Sequence, residues 1–240
     1  PPPRPSATLP PVSPAPPHLP HLCDTHCHLD YAPMADDLPA TLARAAAAGV
    51  DRIIHIGCTR RSMAPAVALA EAHAAGSPEI YAAIGVHPHE ATTFDDDAAA
   101  ELAALARSPR VVAIGETGLD YHYDRSPRDV QRAAMARHLA LAEALGKPVV
   151  LHIRDAHADA LAVVDATPPA RPGIVHCFTG TPEEAAAWLA RGFFLSFSGI
   201  ATFPSAAGPR EAARACPSDR LLLETLVLGA LNCLDDDPDG

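Results

Sequence analysis

The sequence predicts an α/β chain whose parallel strands close into a (β/α)8 TIM barrel, and three observations carry that prediction. Short apolar runs alternate with Ala/Leu-rich helical stretches about eight times between Leu22 and Thr225, the pattern of parallel strands joined by helical crossovers. The length of 240 residues is close to the ~250 typical of one such barrel. The polar residues of interest, His26, His28, His87, His89, Glu116, His152, His176 and Glu224, all fall at the carboxyl ends of predicted strands, the end where barrel enzymes assemble their active sites. A doubly wound open sheet is the runner-up. It would show a Gly-rich phosphate turn after the first strand, and Cys27-His28-Leu29-Asp30 is no such turn.

Taken in order, residues 1–21 are Pro-rich and read as a disordered or polyproline tail, because proline lacks the N–H and fixes φ. The first strand is Leu22 to His28, followed by a helix opened by Asp36-Asp37 and closed at Gly49. Strands follow at 52–57, 80–87, 111–116, 149–152, 173–178, 193–198 and 221–225, with helices at 62–75, 97–107, 127–145, 155–165, 182–190 and 209–216 between them. The barrel therefore spans 22–225. Residues 226–240 read as a divergent tail, with room for two helical turns where a full closing helix is expected, so the eighth strand would lack its usual outer cover.

Composition excludes several classes. No apolar run approaches the ~18 residues that span a membrane, and residues 1–21 have no signal-peptide pattern. A formal net charge of −11 argues against a protein that coats nucleic acid through a basic surface. It leaves a nuclease open, because bound divalent cations supply local positive charge where a phosphate must sit. The six cysteines form no Cys-x-x-Cys pair and no compact framework, which points to a reducing cytoplasm.

The chemistry starts at Asp24-Thr25-His26-Cys27-His28-Leu29-Asp30. Residues two apart on a strand project from one face, so His26 and His28 can offer two imidazoles to one point. Imidazoles from the fifth and sixth strands, His152 and His176, and the carboxylate of Glu116 on the fourth would complete a site for one or two divalent cations. Two cations need a bridge. Glu116 is the candidate, since its two oxygens can reach ions roughly 3.5–4 Å apart.

Six segments, Asp24 to Asp30, Gly85-Val86-His87-Pro88-His89, Gly115-Glu116-Thr117-Gly118-Leu119-Asp120-Tyr121, Leu151-His152-Ile153-Arg154, His176-Cys177-Phe178-Thr179-Gly180 and Leu222-Leu223-Glu224-Thr225, closely resemble the TatD family of metal-dependent deoxyribonucleases. The resemblance implies an amidohydrolase-type barrel that cleaves phosphodiester bonds in DNA, single-stranded or at 3′ ends, using two divalent ions: magnesium first, with zinc or manganese as alternatives. Carried over by position, His26, His28 and Glu116 would hold one ion, and Glu116, His152 and His176 the other. Glu116 would be the catalytic carboxylate, while His87, Arg154 and Tyr121 would contact substrate. A superfamily relative bridged by a carboxylated lysine is disfavoured, because the fourth strand offers Glu116 and no lysine.

One position departs from the family pattern. An Asp follows the Glu-Thr pair there, and this chain has Leu226. Glu224 lies two residues back, ~6.6 Å along a strand and one layer deeper. The alternative expectation is therefore a truncated or divergent, catalytically impaired metal-binding barrel. The sequence leaves the oligomeric state open.

Overall fold

The computed structural model describes residues 21–225. The Pro-rich stretch before His21 and the tail 226–240, including Leu226, lie outside the described residues. Eight strands alternate with seven α-helices: β1 (Leu22–Cys27), α1 (Leu38–Ala47), β2 (Val50–Gly57), α2 (Arg60–Ala72), β3 (Glu79–Ile84), α3 (Asp96–Leu105), β4 (Val111–Asp120), α4 (Arg128–Leu145), β5 (Val149–Arg154), α5 (His157–Ala166), β6 (Ile174–His176), α6 (Pro182–Ala190), β7 (Phe194–Phe197), α7 (Ala207–Ala215) and β8 (Leu221–Leu223). Every ladder is parallel and the spatial order equals the sequence order, so the predicted α/β barrel is what forms.

Local chemistry sets the helix ends. Thr59 and Ser62 make a reciprocal capping box at the start of α2, as Thr181 and Glu184 do for α6, each satisfying two otherwise unpaired backbone donors. Gly146 closes α4 in the left-handed conformation at φ 64°, which costs a residue without Cβ little. Alternation along the strands then divides the core. Ile53, Ile80, Ile114 and Leu151 pack towards the helices with Met63, Leu102, Met135 and Trp188, while Ile56, Ala83, Ala113 and Val150 form a smaller cluster on the opposite, inner face. Each fully buried Leu or Ile contributes about 1.5–3 kcal/mol.

The ring is closed differently at its seam. Backbone ladders run from β1 to β8, and among the described residues none joins β8 to β1. Side chains bridge the gap instead. Thr25 Oγ1 donates to the Leu223 carbonyl at 2.9 Å, and the Asp24 carboxylate accepts from the Thr225 N–H at 3.0 Å and from the Thr225 hydroxyl. No helix among the described residues is long and apolar enough to cross a membrane.

Several expected boundaries shift. β3 stops at Ile84, and after it Pro88–Thr93 forms a 3-10 turn, Pro88 occupying a first helical position where a missing N–H is harmless. β4 does not end at Glu116 but continues to Asp120, so Glu116 stands within a strand. β6 and β8 shrink to three residues each.

Candidate metal centre

Glu116 is the hub. It is 3% exposed, and two glycines allow its strand to carry it there. Gly115 has φ 137° and Gly118 φ 148°, conformations that L side chains rarely adopt, and a Cβ at Gly118 would lie 1.9 Å from the His152 carbonyl oxygen. Their close approach to β5 accompanies the register shift between Ile114 and Thr117 and turns the Glu116 side chain into the barrel mouth.

Five imidazoles converge on its two oxygens. Oε2 faces His26 Nε2 at 3.4 Å and His28 Nε2 at 4.0 Å. Oε1 faces His176 Nε2 at 2.7 Å, His152 Nδ1 at 3.2 Å and His87 Nε2 at 3.4 Å. The two sides also close on themselves: His26 Nε2 and His28 Nε2 are 3.2 Å apart, and His152 Nδ1 and His176 Nε2 are 3.3 Å apart. The rings of His26 and His176 stack at 4.0 Å and 6°. All of the residues predicted to hold cations are thus brought together.

The electrostatics follow from crowding charge into a dry site. Burial alone would raise the Glu116 pKa, but His176, His87 and His152 hold it well below the ordinary carboxylate range. Burial likewise opposes protonation of His176, yet Glu116 and Glu224 outweigh it and push that imidazole up to about 10. His28 is lowered to about 3 by burial and by the neighbouring His26, and His87 to about 4, chiefly by burial. Asp120 and Glu116 overcome burial to raise His152.

These residues fit a divalent cation. Ligand atoms about 3.2 Å apart are what an ion bound at ~2.0–2.1 Å to each of two imidazoles requires. The ligand atoms of His26, His28 and Glu116 all lie within 4.8 Å of one another, as do those of His87, Glu116 and His152. Buried His26 Nδ1, His28 Nδ1, His176 Nδ1 and both Glu224 oxygens lack a hydrogen-bond partner among the described residues. The nearest approach there is His176 Nδ1 to Glu224 Oε1 at 3.5 Å. Buried polar atoms left in this state are costly, and a site with such atoms around it is built for more than its own packing.

Residues 23–225 match the TatD related DNase family. The chain belongs to the TatD-related DNase family. It is 40% identical over 205 residues to a metal-dependent hydrolase, YabD, of Bacillus subtilis, covering 85% of this chain and 79% of the relative. It is 44% identical over 191 residues to a Cronobacter turicensis protein named 3'-5' ssDNA/RNA exonuclease TatD, covering 79% and 71% respectively. Among solved structures, the TatD homologue YjjV of Escherichia coli superposes with a TM-score of 0.79 at 34% identity, over 85% of this chain and 78% of that one. Like the metal-dependent TatD relatives, this chain is a hydrolase of the nuclease type.

The remaining predicted residues divide by position. His87 stands in the innermost set, facing Glu116 directly. Arg154 places its guanidinium 5.0 Å from the centre of the Tyr123 ring. Tyr121 instead donates its hydroxyl to Asp159 at 2.7 Å and accepts from Arg132 at 2.9 Å, which ties it to α4 and α5. Asp120 was missed by sequence reasoning. It is fully buried, and its Oδ2 accepts from His152 Nε2 and His89 Nε2, both at 2.9 Å. A period of two along β4 could have found it, since Glu116, Gly118 and Asp120 alternate with Thr117 and Leu119.

Proposed function

We propose that this chain is a divalent-metal-dependent phosphodiesterase acting on DNA, with two cations held on either side of Glu116. The observation that carries the reading is the division of the imidazoles between the two Glu116 oxygens, His26 and His28 about Oε2, and His152 and His176 about Oε1. Cations bound there would polarise a phosphoryl oxygen and lower the pKa of an attacking water. Glu116, kept ionised by its histidine neighbours, would be the carboxylate shared between them. His28 and His87, kept neutral by burial, add no positive charge to oppose cation entry.

The rim suits a phosphate chain. Among the described residues neither Arg154 nor Arg125 pairs with a carboxylate, and Arg125 lies 5.3 Å from the Tyr123 ring that also supports Arg154. A guanidinium held on an aromatic face keeps its N–H fork free for phosphate oxygens. Single-stranded DNA, degraded from its 3′ end, is the substrate we favour, following the named activity of the Cronobacter relative. Magnesium is the cation we favour, and the reducing cytoplasm the compartment, since five cysteines are free among the described residues.

A second reading rests on Leu226, which stands where the family motif has Asp. Without that carboxylate, activity would fall by roughly the 10²–10⁴-fold typical of losing a general base. One experiment addresses both. A 5′-labelled single-stranded DNA is incubated with magnesium and wild type or Leu226→Asp, with an EDTA control and an RNA arm. Shortening products with wild type support the active reading. Products only with Leu226→Asp support the impaired one. No magnesium-dependent product from either protein contradicts DNA cleavage, and cleavage of RNA alone would change the substrate.

A further inference from the structure

Two imidazoles face the same Glu116 oxygen, yet their outer nitrogens are engaged in opposite ways. His152 turns Nδ1 towards Glu116 Oε1 and Nε2 towards Asp120 Oδ2 at 2.9 Å. Asp120 can only accept while ionised, so in neutral His152 the proton sits on Nε2 and a lone pair on Nδ1 faces the centre. His87 turns Nε2 towards Oε1 and caps the 3-10 turn with Nδ1, which accepts the His89 backbone N–H at 3.1 Å. A nitrogen that accepts carries no proton. In neutral His87 the proton is therefore on Nε2 and points inward, where it can donate but cannot ligate.

We propose that Asp120 and the His89 backbone N–H sort these two imidazoles, making His152 a cation ligand and His87 a hydrogen-bond donor into the same site. The triplet of His87, Glu116 and His152, close enough to hold an ion by distance alone, is then not a ligand set. His87 is left to donate to an anionic oxygen in front of it, either Glu116 Oε1 or an oxygen of a bound phosphodiester.

Asp120 is built for the task. Its Oδ1 accepts from the His122 N–H at 3.1 Å and the Tyr123 N–H at 2.8 Å, which shapes the loop after β4. Its Oδ2 serves the two imidazoles. Gln131, fully buried on α4, brackets its backbone, accepting from the Asp120 N–H at 2.8 Å and donating to its carbonyl at 3.2 Å. Both oxygens are satisfied and the side chain is fixed, so Asp120 is a positioning residue acting through His152. Carboxylates that orient metal-bound histidines in this way are typically worth 10–100-fold in affinity.

Asp120→Asn separates this role from a packing role. The amide oxygen can keep the two loop N–H bonds, but the amide nitrogen then meets His152 Nε2 as a donor and drives its proton to Nδ1, where the cation must bind. The test rests on the reading of the site as a cation centre and is made with manganese alone, by calorimetry and elemental analysis, with no substrate. Wild type, Asp120→Asn, His152→Ala and His87→Ala are compared. We expect Asp120→Asn and His152→Ala to lose 10–100-fold in manganese affinity, and His87→Ala to bind within about threefold of wild type. Equal losses in His87→Ala and His152→Ala, or wild-type affinity in Asp120→Asn, would overturn the sorting while leaving the cation centre intact. A wild type that takes up no manganese defeats both. Long-range 15N–1H correlation spectra of zinc-loaded wild type decide the matter without a variant: His152 protonated at Nε2 and His87 protonated at Nε2 are expected, and His87 protonated at Nδ1 contradicts the proposal.

Discussion

The two sides of the centre are built to different standards. On the side of β4 and β5, Asp120, His152 and His89 form bonds of 2.9 Å, the strands are ten and six residues long, and Gln131 locks the backbone of Asp120. On the side of β1, β6 and β8, the outer carboxylate Glu224 keeps two unpartnered oxygens, the nearest imidazole nitrogen is 3.5 Å away, and β6 and β8 have three residues each. The first side is held by backbone ladders and the second leans on a side-chain seam. The contrast teaches that one glutamate can gather histidines from both sides of a ring while the rigidity behind them is uneven. Burial alone would raise the Glu224 pKa, but the neighbouring His176 and His26 lower it, so its charge is balanced across a looser contact than the one that serves Asp120.

The largest effect is expected from disturbing the rigid side. Gly118→Ala would force a Cβ against the His152 carbonyl at a positive φ, which we expect to cost about 4 kcal/mol. A denaturant titration checks this, and a loss below 1 kcal/mol would show that β4 and β5 can part more easily than the contrast assumes. Next in size is the seam. Asp24→Ala removes both Thr225 bonds and should cost about 2 kcal/mol. It should also speed amide exchange in β8 while leaving β4 and β5 protected, and uniform acceleration across the barrel would erase the distinction.

The smallest effect is a pH dependence. His138 is buried on α4, where its Nε2 accepts from the Val86 N–H at 3.1 Å and its Nδ1 donates to the Ala134 carbonyl at 2.8 Å. Burial lowers its pKa from 6.5 to about 4. The unfolded chain therefore takes up this proton first as pH falls. The stability it contributes is complete above pH 6.5 and is lost towards pH 4, about 2 kcal/mol of it by pH 5. His28 and His87, lowered to about 3 and about 4, act in the same direction. His176, raised to about 10, acts in the opposite one: its contribution is present below 6.5 and fades as pH rises through 10. In EDTA, the melting temperature should drop from pH 7.5 to 5.0, and the drop should shrink in His138→Gln. An unchanged drop would assign the acid sensitivity to the centre alone.

Much of this was legible in the sequence for physical reasons. Strand periodicity alone puts His26 and His28 on one face, and eight alternating segments fix the ring that carries His152 and His176 to the same rim. Glu116 was legible as the carboxylate among the histidines but not in its position, because Gly115 and Gly118 let β4 run on to Asp120 where a strand was expected to end. That same extension hid Asp120, whose partners come from β5 and from the turn after β3. The direction of each imidazole was not legible at all, since it depends on hydrogen bonds such as that from the His89 N–H to His87, which spacing does not encode. The weakness of the seam follows from strands too short to show in composition. Leu226, which the resemblance sets against an Asp, lies outside the described residues.

The central claim is that one buried glutamate gathers histidines from β1, β5 and β6 into a divalent-cation centre. Elemental analysis of the chain after equilibration with manganese and gel filtration tests it most directly, comparing wild type with Glu116→Ala. Two ions per wild-type chain, and a clear loss of bound manganese in a Glu116→Ala protein that still melts cooperatively, are the predicted results. Equal manganese in both proteins, or none in wild type, would contradict the claim.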